Sequence, residues 1–147
     1  QTQTIQDNEY VENSFIKNNK IKPVKIIDRK MNIKFEAKVD NKLQWDFFSL
    51  QNQISLKIGE NHIVKFEGKN LSNKTITSTA DFFTNPSSVL PYIIKTECFC
   101  FIEQTLKSGE SQIFTMVFFI DPSLDSDANL EDLEDIVLTY KFSEYKS

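Results

Sequence analysis

Residues 33–39 read Ile-Lys-Phe-Glu-Ala-Lys-Val and alternate strictly between apolar and charged side chains. Successive side chains of a β-strand point to opposite faces of a sheet, so this alternation predicts a half-buried strand. Ile33, Phe35, Ala37 and Val39 are expected to face the core, whereas the lysines and the glutamate face solvent. The stretch therefore indicates a β fold whose sheets are covered on one side.

The same pattern returns along the rest of the chain, with turn residues between its repeats. Together the repeats predict about seven strands, at residues 33–39, 54–58, 64–68, 75–83, 92–102, 113–120 and 136–142. No long helical period interrupts them. Turn signals at intervals of about eight to twelve residues are typical of immunoglobulin domains. The fold class predicted is all-β, an immunoglobulin-like antiparallel β-sandwich.

Residues 1–30 differ from this pattern because they are polar and have no sustained period. Pro23 and the asparagines before it interrupt any helical pattern there. We therefore predict an extended lead-in over residues 1–30 and one globular domain over residues 31–147. The length of 147 residues fits a single domain.

The composition excludes several classes of function. The formal net charge is −4, so no basic surface that would bind nucleic acid is expected. His62 is the only histidine, which excludes a multi-histidine metal site within one chain. No apolar run reaches the length of about 18 residues that a membrane-spanning helix needs.

The two cysteines, Cys98 and Cys100, are the residues with the most distinctive chemistry. Residues two apart on a strand share a face, so both thiols are expected to point one way and Phe99 and Phe101 the other. The two large aromatic side chains belong in the core. The thiols are therefore expected to face solvent or a partner.

An extended strand places the Cα atoms of Cys98 and Cys100 about 6.6 Å apart, which predicts that a disulfide between them would be strained and easily reduced. Soft thiolates select Cu(I), zinc or iron–sulfur centres, and Cu(I) suits a set of only two thiols best. One ion needs its two sulfurs about 4.6 Å apart, so an extended strand is slightly too open and two molecules could share the metal. On spacing alone, simple packing of two small apolar side chains explains the cysteines equally well.

Several motifs together resemble the CtaG family of copper chaperones for cytochrome c oxidase assembly. The most specific is Cys98-Phe99-Cys100-Phe101-x-Glu103-Gln104, which follows Tyr92-x-x-Lys95. Matching motifs before and after it are Trp45-x-Phe47, Gly59-Glu60, Gly109-Glu110, Val117-Phe118-Phe119-Ile120-Asp121-Pro122 and Asp135-Ile136-Val137-Leu138-Thr139-Tyr140. The resemblance covers about residues 31–143.

The resemblance implies a specific function for the two cysteines. A member of this family binds Cu(I) through the motif cysteines, here Cys98 and Cys100. It delivers the metal to the Cu(B) centre of cytochrome c oxidase subunit I, is not an enzyme, and can form a copper-bridged homodimer. A separate protein would supply the copper.

The resemblance also implies a location. The family has an N-terminal transmembrane helix with a further cysteine nearby, and both would lie upstream of Gln1. Residues 1–30 would then be a juxtamembrane segment. The domain would face the mitochondrial intermembrane space from the inner membrane, or the periplasm from the bacterial inner membrane.

The sequence departs from the family at one place, where a Met-Pro pair is replaced by Phe114-Thr115. Met116 shares a strand face with Phe114 and is a candidate replacement thioether, although core packing is the simpler interpretation. Lys95 and Tyr92 are candidates for tuning the site or docking the partner, and Lys95 could equally be an ordinary solvated lysine.

Two other functions are compatible with parts of this pattern. The departure at residues 114–115 is compatible with a metal-free accessory subunit bound to the oxidase. A dithiol redox protein is a weaker alternative, because the chain has neither Cys-x-x-Cys nor a βαβ pattern.

Overall fold

The computed structural model describes residues 14–17 and 20–146, with side chains from residue 24 onward. Turns and short 3₁₀ helices connect the strands of this part of the chain. The strands are β1 (Ser14–Lys17), β2 (Lys20–Pro23), β3 (Ile27–Val39), β4 (Trp45–Ser49), β5 (Gln53–Ile58), β6 (His62–Asn70), β7 (Ile76–Asn85), β8 (Ile93–Cys98), β9 (Gln104–Leu106), β10 (Ser111–Ile120) and β11 (Asp135–Glu144). The 3₁₀ helices are Ser87–Tyr92, Phe99–Phe101, Pro122–Ser126 and Ala128–Leu130.

Two sheets enclose the core of the domain. The four-stranded sheet has the order β4-β6-β10-β8, and the five-stranded sheet has the order β5-β3-β11-β7-β9. β1 and β2 pair with each other as a separate antiparallel hairpin. The predicted all-β sandwich is confirmed, and each predicted strand has a counterpart. The two sheets gain two short strands that the alternation did not indicate, β4 and β9.

One pairing departs from the antiparallel arrangement. β3 and β11 run parallel, with Ile33 opposite Ile136 and Phe35 opposite Leu138. A parallel pair needs a long crossover connection, and here the chain from β4 to β10 provides it. Alternation identifies the face of a strand that is buried and carries no information about its direction, which is why the parallel pair was not predicted.

The predicted lead-in is only partly covered by the structure, because residues 1–13, 18 and 19 lie outside the described residues. The described part contains β1, β2 and the first residues of β3, which begins at Ile27. The division of the chain at residue 31 stays a prediction.

An aromatic cluster fills the core beneath the cysteine motif, and Phe99 lies at its centre. Its ring centroid is 4.6 Å from that of Tyr140 and 5.3 Å from that of Phe114. Three more rings lie within 6.2 Å, those of Phe47, Phe66 and Phe142. Each such aromatic pair adds about 0.5–1.5 kcal/mol to the free energy gained by burial. The cluster therefore anchors the motif to both sheets.

Candidate metal centre

The cysteine motif forms a turn between two strands. β8 ends at Cys98, residues Phe99–Phe101 form one turn of 3₁₀ helix, and β9 begins at Gln104. The amide of Cys100 donates a hydrogen bond to Cys98 Sγ at 3.1 Å, and Gln104 Nε2 donates to the carbonyl oxygen of Phe99 at 2.9 Å. The prediction of a continuous strand over residues 92–102 is wrong at this point, because these local hydrogen bonds close a turn.

The turn changes the direction of each side chain in the motif. A 3₁₀ helix has about three residues per turn, so the two-residue period of a strand does not apply. Phe99 is buried as predicted, but Phe101 is 59% exposed and Cys98 only 6%. Cys100 is half-buried. The predicted outward face with both thiols is therefore wrong: Cys98 points into the sandwich and Cys100 lies at its boundary.

Cys98 and Cys100 form a disulfide bond with each other. Their Cα atoms are 5.0 Å apart, closer than the value of about 6.6 Å expected for an extended strand. The turn brings the two residues within the ordinary Cα range of a disulfide, so the separation predicted from an extended strand is wrong. The same short separation also lets two free thiolates reach a single ion, once the bridge has been reduced.

A buried hydroxyl lies among the sulfur atoms. Tyr140 Oη is 2.8 Å from Cys98 Sγ, 3.7 Å from Cys100 Sγ and 2.6 Å from Met116 Sδ. Met116 lies opposite Cys98 in the β8–β10 ladder, and both Met116 and Tyr140 are fully buried. Burial raises the pKa of Tyr140 far above its usual value, so its hydroxyl stays protonated.

The other two predicted residues lie outside this sulfur cluster. Lys95 Nζ is 4.0 Å from the centroid of the Phe82 ring, a cation–π contact, and burial lowers the pKa of Lys95. Tyr92 donates a hydrogen bond from Oη to Asp127 Oδ2 at 2.6 Å, and this bond raises the pKa of Tyr92. Lys95 is linked to the cluster through Phe82, whose ring centroid is 4.9 Å from that of Tyr140.

An open groove of about 270 Å³ gives access to the motif from the surface. Its lining includes Cys98, Ile102, Gln112 and Ile113. The side chains of Ile102 and Ile113 are exposed, as is that of Phe101 beside them. Cys98 therefore lines a surface groove although little of its own area is exposed. Sequence reasoning did not find this groove, because it depends on how β10 lies beside the turn.

The side chains near the groove that could bind a metal are few, and their ligand atoms are sulfurs, which are soft ligands. Within residues 14–17 and 20–146, no group of three or more His, Cys, Asp and Glu side chains is placed to hold a metal ion. Two thiolates alone fit an ion that accepts low coordination and soft ligands, as Cu(I) does.

In the same part of the chain, no helix has the length and apolar character needed to cross a membrane.

The fold and the motif together define a class, an all-β domain that carries a Cys-x-Cys turn at the edge of its sandwich. The chain belongs to the family of cytochrome c oxidase assembly proteins CtaG/Cox11, whose sequence model matches residues 2–144. The resemblance predicted from the motifs is confirmed.

Individual relatives agree with the family match. The cytochrome c oxidase assembly protein CtaG of Brucella ovis is 38% identical over 117 residues, which is 80% of this chain and 58% of the relative. The protein of the same name from Sinorhizobium fredii is also 38% identical over 117 residues, 80% of this chain and 59% of the relative. The matched region thus spans a little under two thirds of these relatives.

Proposed function

We propose that the reduced protein binds Cu(I) through Cys98 and Cys100 and delivers it to the Cu(B) centre of cytochrome c oxidase subunit I during assembly. The observation that carries this proposal is the turn that brings the two cysteine Cα atoms to 5.0 Å, with Cys98 lining an open groove. Membership in a family of oxidase assembly proteins supplies the biological context.

The disulfide must be reduced before the site can bind metal. A thiol reductant supplies two electrons and two protons, which convert the Cys98–Cys100 bridge to two thiols while the reductant becomes a disulfide. Cu(I) then displaces both thiol protons, because thiolates rather than thiols are the metal ligands. Transfer proceeds by ligand exchange, in which ligands of subunit I replace the two sulfurs. No step of this transfer requires catalysis.

Membership in the same family supports a proposal for the partners and the location. The domain faces the periplasm or the mitochondrial intermembrane space and is held at the membrane by an N-terminal helix. A copper-donor protein loads the site. Two chains that meet at their turns form a copper-bridged homodimer, in which the exposed side chains of Phe101 and Ile102 contact the second chain.

A second candidate function is a metal-free accessory subunit bound to the oxidase. The disulfide favours this alternative, because it occupies both sulfurs of the motif. The subunit would then contribute contacts rather than metal, and it would remain bound to the mature oxidase.

Complementation separates the two functions. The protein, with its full N-terminal region, is expressed in cells that lack their own assembly factor of this family. The wild type is expected to restore the copper content of purified oxidase, and the variant with Cys98→Ser and Cys100→Ser is expected to fail, because serine oxygens are poor ligands for Cu(I). Equal restoration by the variant, at equal protein levels, favours the accessory subunit.

Met116→Leu is expected to retain about one Cu(I) per chain and near wild-type affinity. Leucine conserves the volume of a buried side chain, so the core is preserved while the thioether is removed. The measurement is competition with a Cu(I) chelator on the reduced protein. A loss of binding as complete as that caused by replacing the cysteines would instead identify Met116 as a ligand.

A further inference from the structure

The hydroxyl of Tyr140 lies beside the sulfur atoms of the cysteine motif, and the proposed function assigns it no role. It is fully buried in the core, yet it lies within hydrogen-bond distance of sulfur atoms from three different residues. In the part of the chain that the structure describes, all its hydrogen-bond partners are sulfurs. A buried hydroxyl in this position has one proton to donate and must select among three acceptors.

We propose that Tyr140 is a positioning residue for the copper ligand Cys98, to whose thiolate sulfur it donates a hydrogen bond in the metal-loaded protein. The proposal rests on the proposed function of Cys98 and Cys100 as Cu(I) ligands. It gives β11, in the opposite sheet, a part in metal binding that acts through Cys98.

The relative strengths of the three sulfur atoms as acceptors determine which of them receives the hydrogen bond from the Tyr140 hydroxyl. In the disulfide form, no acceptor carries a charge, and Met116 Sδ is the nearest at 2.6 Å. Reduction and metal binding convert Cys98 Sγ, 2.8 Å away, into a negatively charged acceptor. Hydrogen bonds to charged groups are about twice as strong as those between neutral groups. The hydroxyl is therefore expected to turn from Met116 to Cys98 while the ring stays in place.

The side chains packed around the Tyr140 ring hold its hydroxyl in a fixed position. Phe99, Phe82 and Phe66 surround Tyr140 at centroid distances of 4.6, 4.9 and 5.4 Å. Rotation of the C–O bond alone redirects the proton, because both acceptors are already within reach. The donor is thus pre-organised for a thiolate at Cys98.

The electrostatics of the loaded site require such a donor. Two thiolates and one Cu(I) leave a net charge of −1, and the Cys98 side chain has little access to water. The amide of Cys100 supplies one hydrogen bond to Cys98 Sγ, and Tyr140 supplies a second. Partners of this kind, one step removed from the metal, typically change metal affinity by about 10- to 100-fold.

Tyr140→Phe tests the proposal, and Tyr92→Phe is the matched control. Both variants remove one phenol hydroxyl, but that of Tyr92 bonds to Asp127 instead of sulfur. Competition with a Cu(I) chelator is expected to show binding about 10- to 100-fold weaker for Tyr140→Phe and unchanged for Tyr92→Phe. The near-ultraviolet sulfur-to-copper absorption is expected to shift to longer wavelength only in Tyr140→Phe, because the lost hydrogen bond raises the energy of the sulfur lone pairs.

A second measurement uses the wild-type protein and does not depend on how well a variant folds. With ¹³C-labelled tyrosine, the ring carbon that carries the hydroxyl is expected to change its chemical shift on copper loading at Tyr140 and to stay constant at Tyr92. Unchanged affinity and absorption in Tyr140→Phe, or an unchanged Tyr140 shift, would overturn the role of Tyr140 alone. A reduced wild type that binds no Cu(I) would overturn the proposed function as well, so the two failures are distinguishable.

Discussion

Replacement of both Cys98 and Cys100 by serine is expected to abolish tight Cu(I) binding. The two thiols are the only cysteines of the chain, and the described part of the chain has no alternative cluster of metal-ligating side chains. A hydroxyl is a hard ligand and does not compete with chelators for Cu(I) as a thiolate does. Copper content after gel filtration of the reduced protein measures the effect.

The single variants test whether Cu(I) binding needs both cysteines. Cys98→Ser and Cys100→Ser are each expected to lose tight binding, because one thiolate cannot hold Cu(I) against a strong chelator. Unfolding in urea provides the control for structure, since serine at position 98 is small enough to fit the buried site and can hydrogen-bond to Tyr140. Full copper stoichiometry in the folded double variant would refute the role of the thiols.

Replacement of Phe99 by alanine is expected to destabilise the domain by about 3–5 kcal/mol, the usual cost of truncating a buried phenylalanine. Phe99 is 7% exposed and lies among the aromatic rings that join the two sheets. A domain of this kind is stable by only about 5–15 kcal/mol, so much of the stability is lost. The free energy of unfolding, measured in urea, reports the effect.

Phe101→Ala is the matched control, two residues further along the same turn. Its side chain is 59% exposed, so the free energy of unfolding is expected to change by less than about 0.5 kcal/mol. The comparison tests the turn directly, because a continuous strand would bury Phe99 and Phe101 alike. Equal losses in the two variants would mean that the motif is a strand and that the two cysteines face outward.

Periodicity was sufficient to predict the sandwich but not the turn. Along β3, alternation identified the buried residues Ile33 and Phe35 correctly, because a long strand with one covered face imposes a period of two. The motif Cys98–Phe101 has the same apparent period. Its four residues are apolar or nearly so, and the hydrogen bonds from Cys100 and Gln104 that close the turn cannot be read from that pattern.

The sulfur environment depends on contacts across the sandwich. Tyr140 was predicted on the last strand, but its position opposite the cysteines depends on how the two sheets are aligned, which no single strand specifies. Met116 was named a candidate because it shares a strand face with Phe114. Its side chain is fully buried, which is compatible with core packing. Its contact with the hydroxyl was visible only in three dimensions.

A Cu(I) titration followed by mass spectrometry under native conditions tests the central claim most directly. The reduced protein is expected to take up about one Cu(I) per chain, either as a monomer with a single ion or as a dimer with two, and the Cys98–Cys100 disulfide form is expected to take up none. A reduced protein that stays free of metal, or a disulfide form that takes up as much copper as the reduced one, would contradict it.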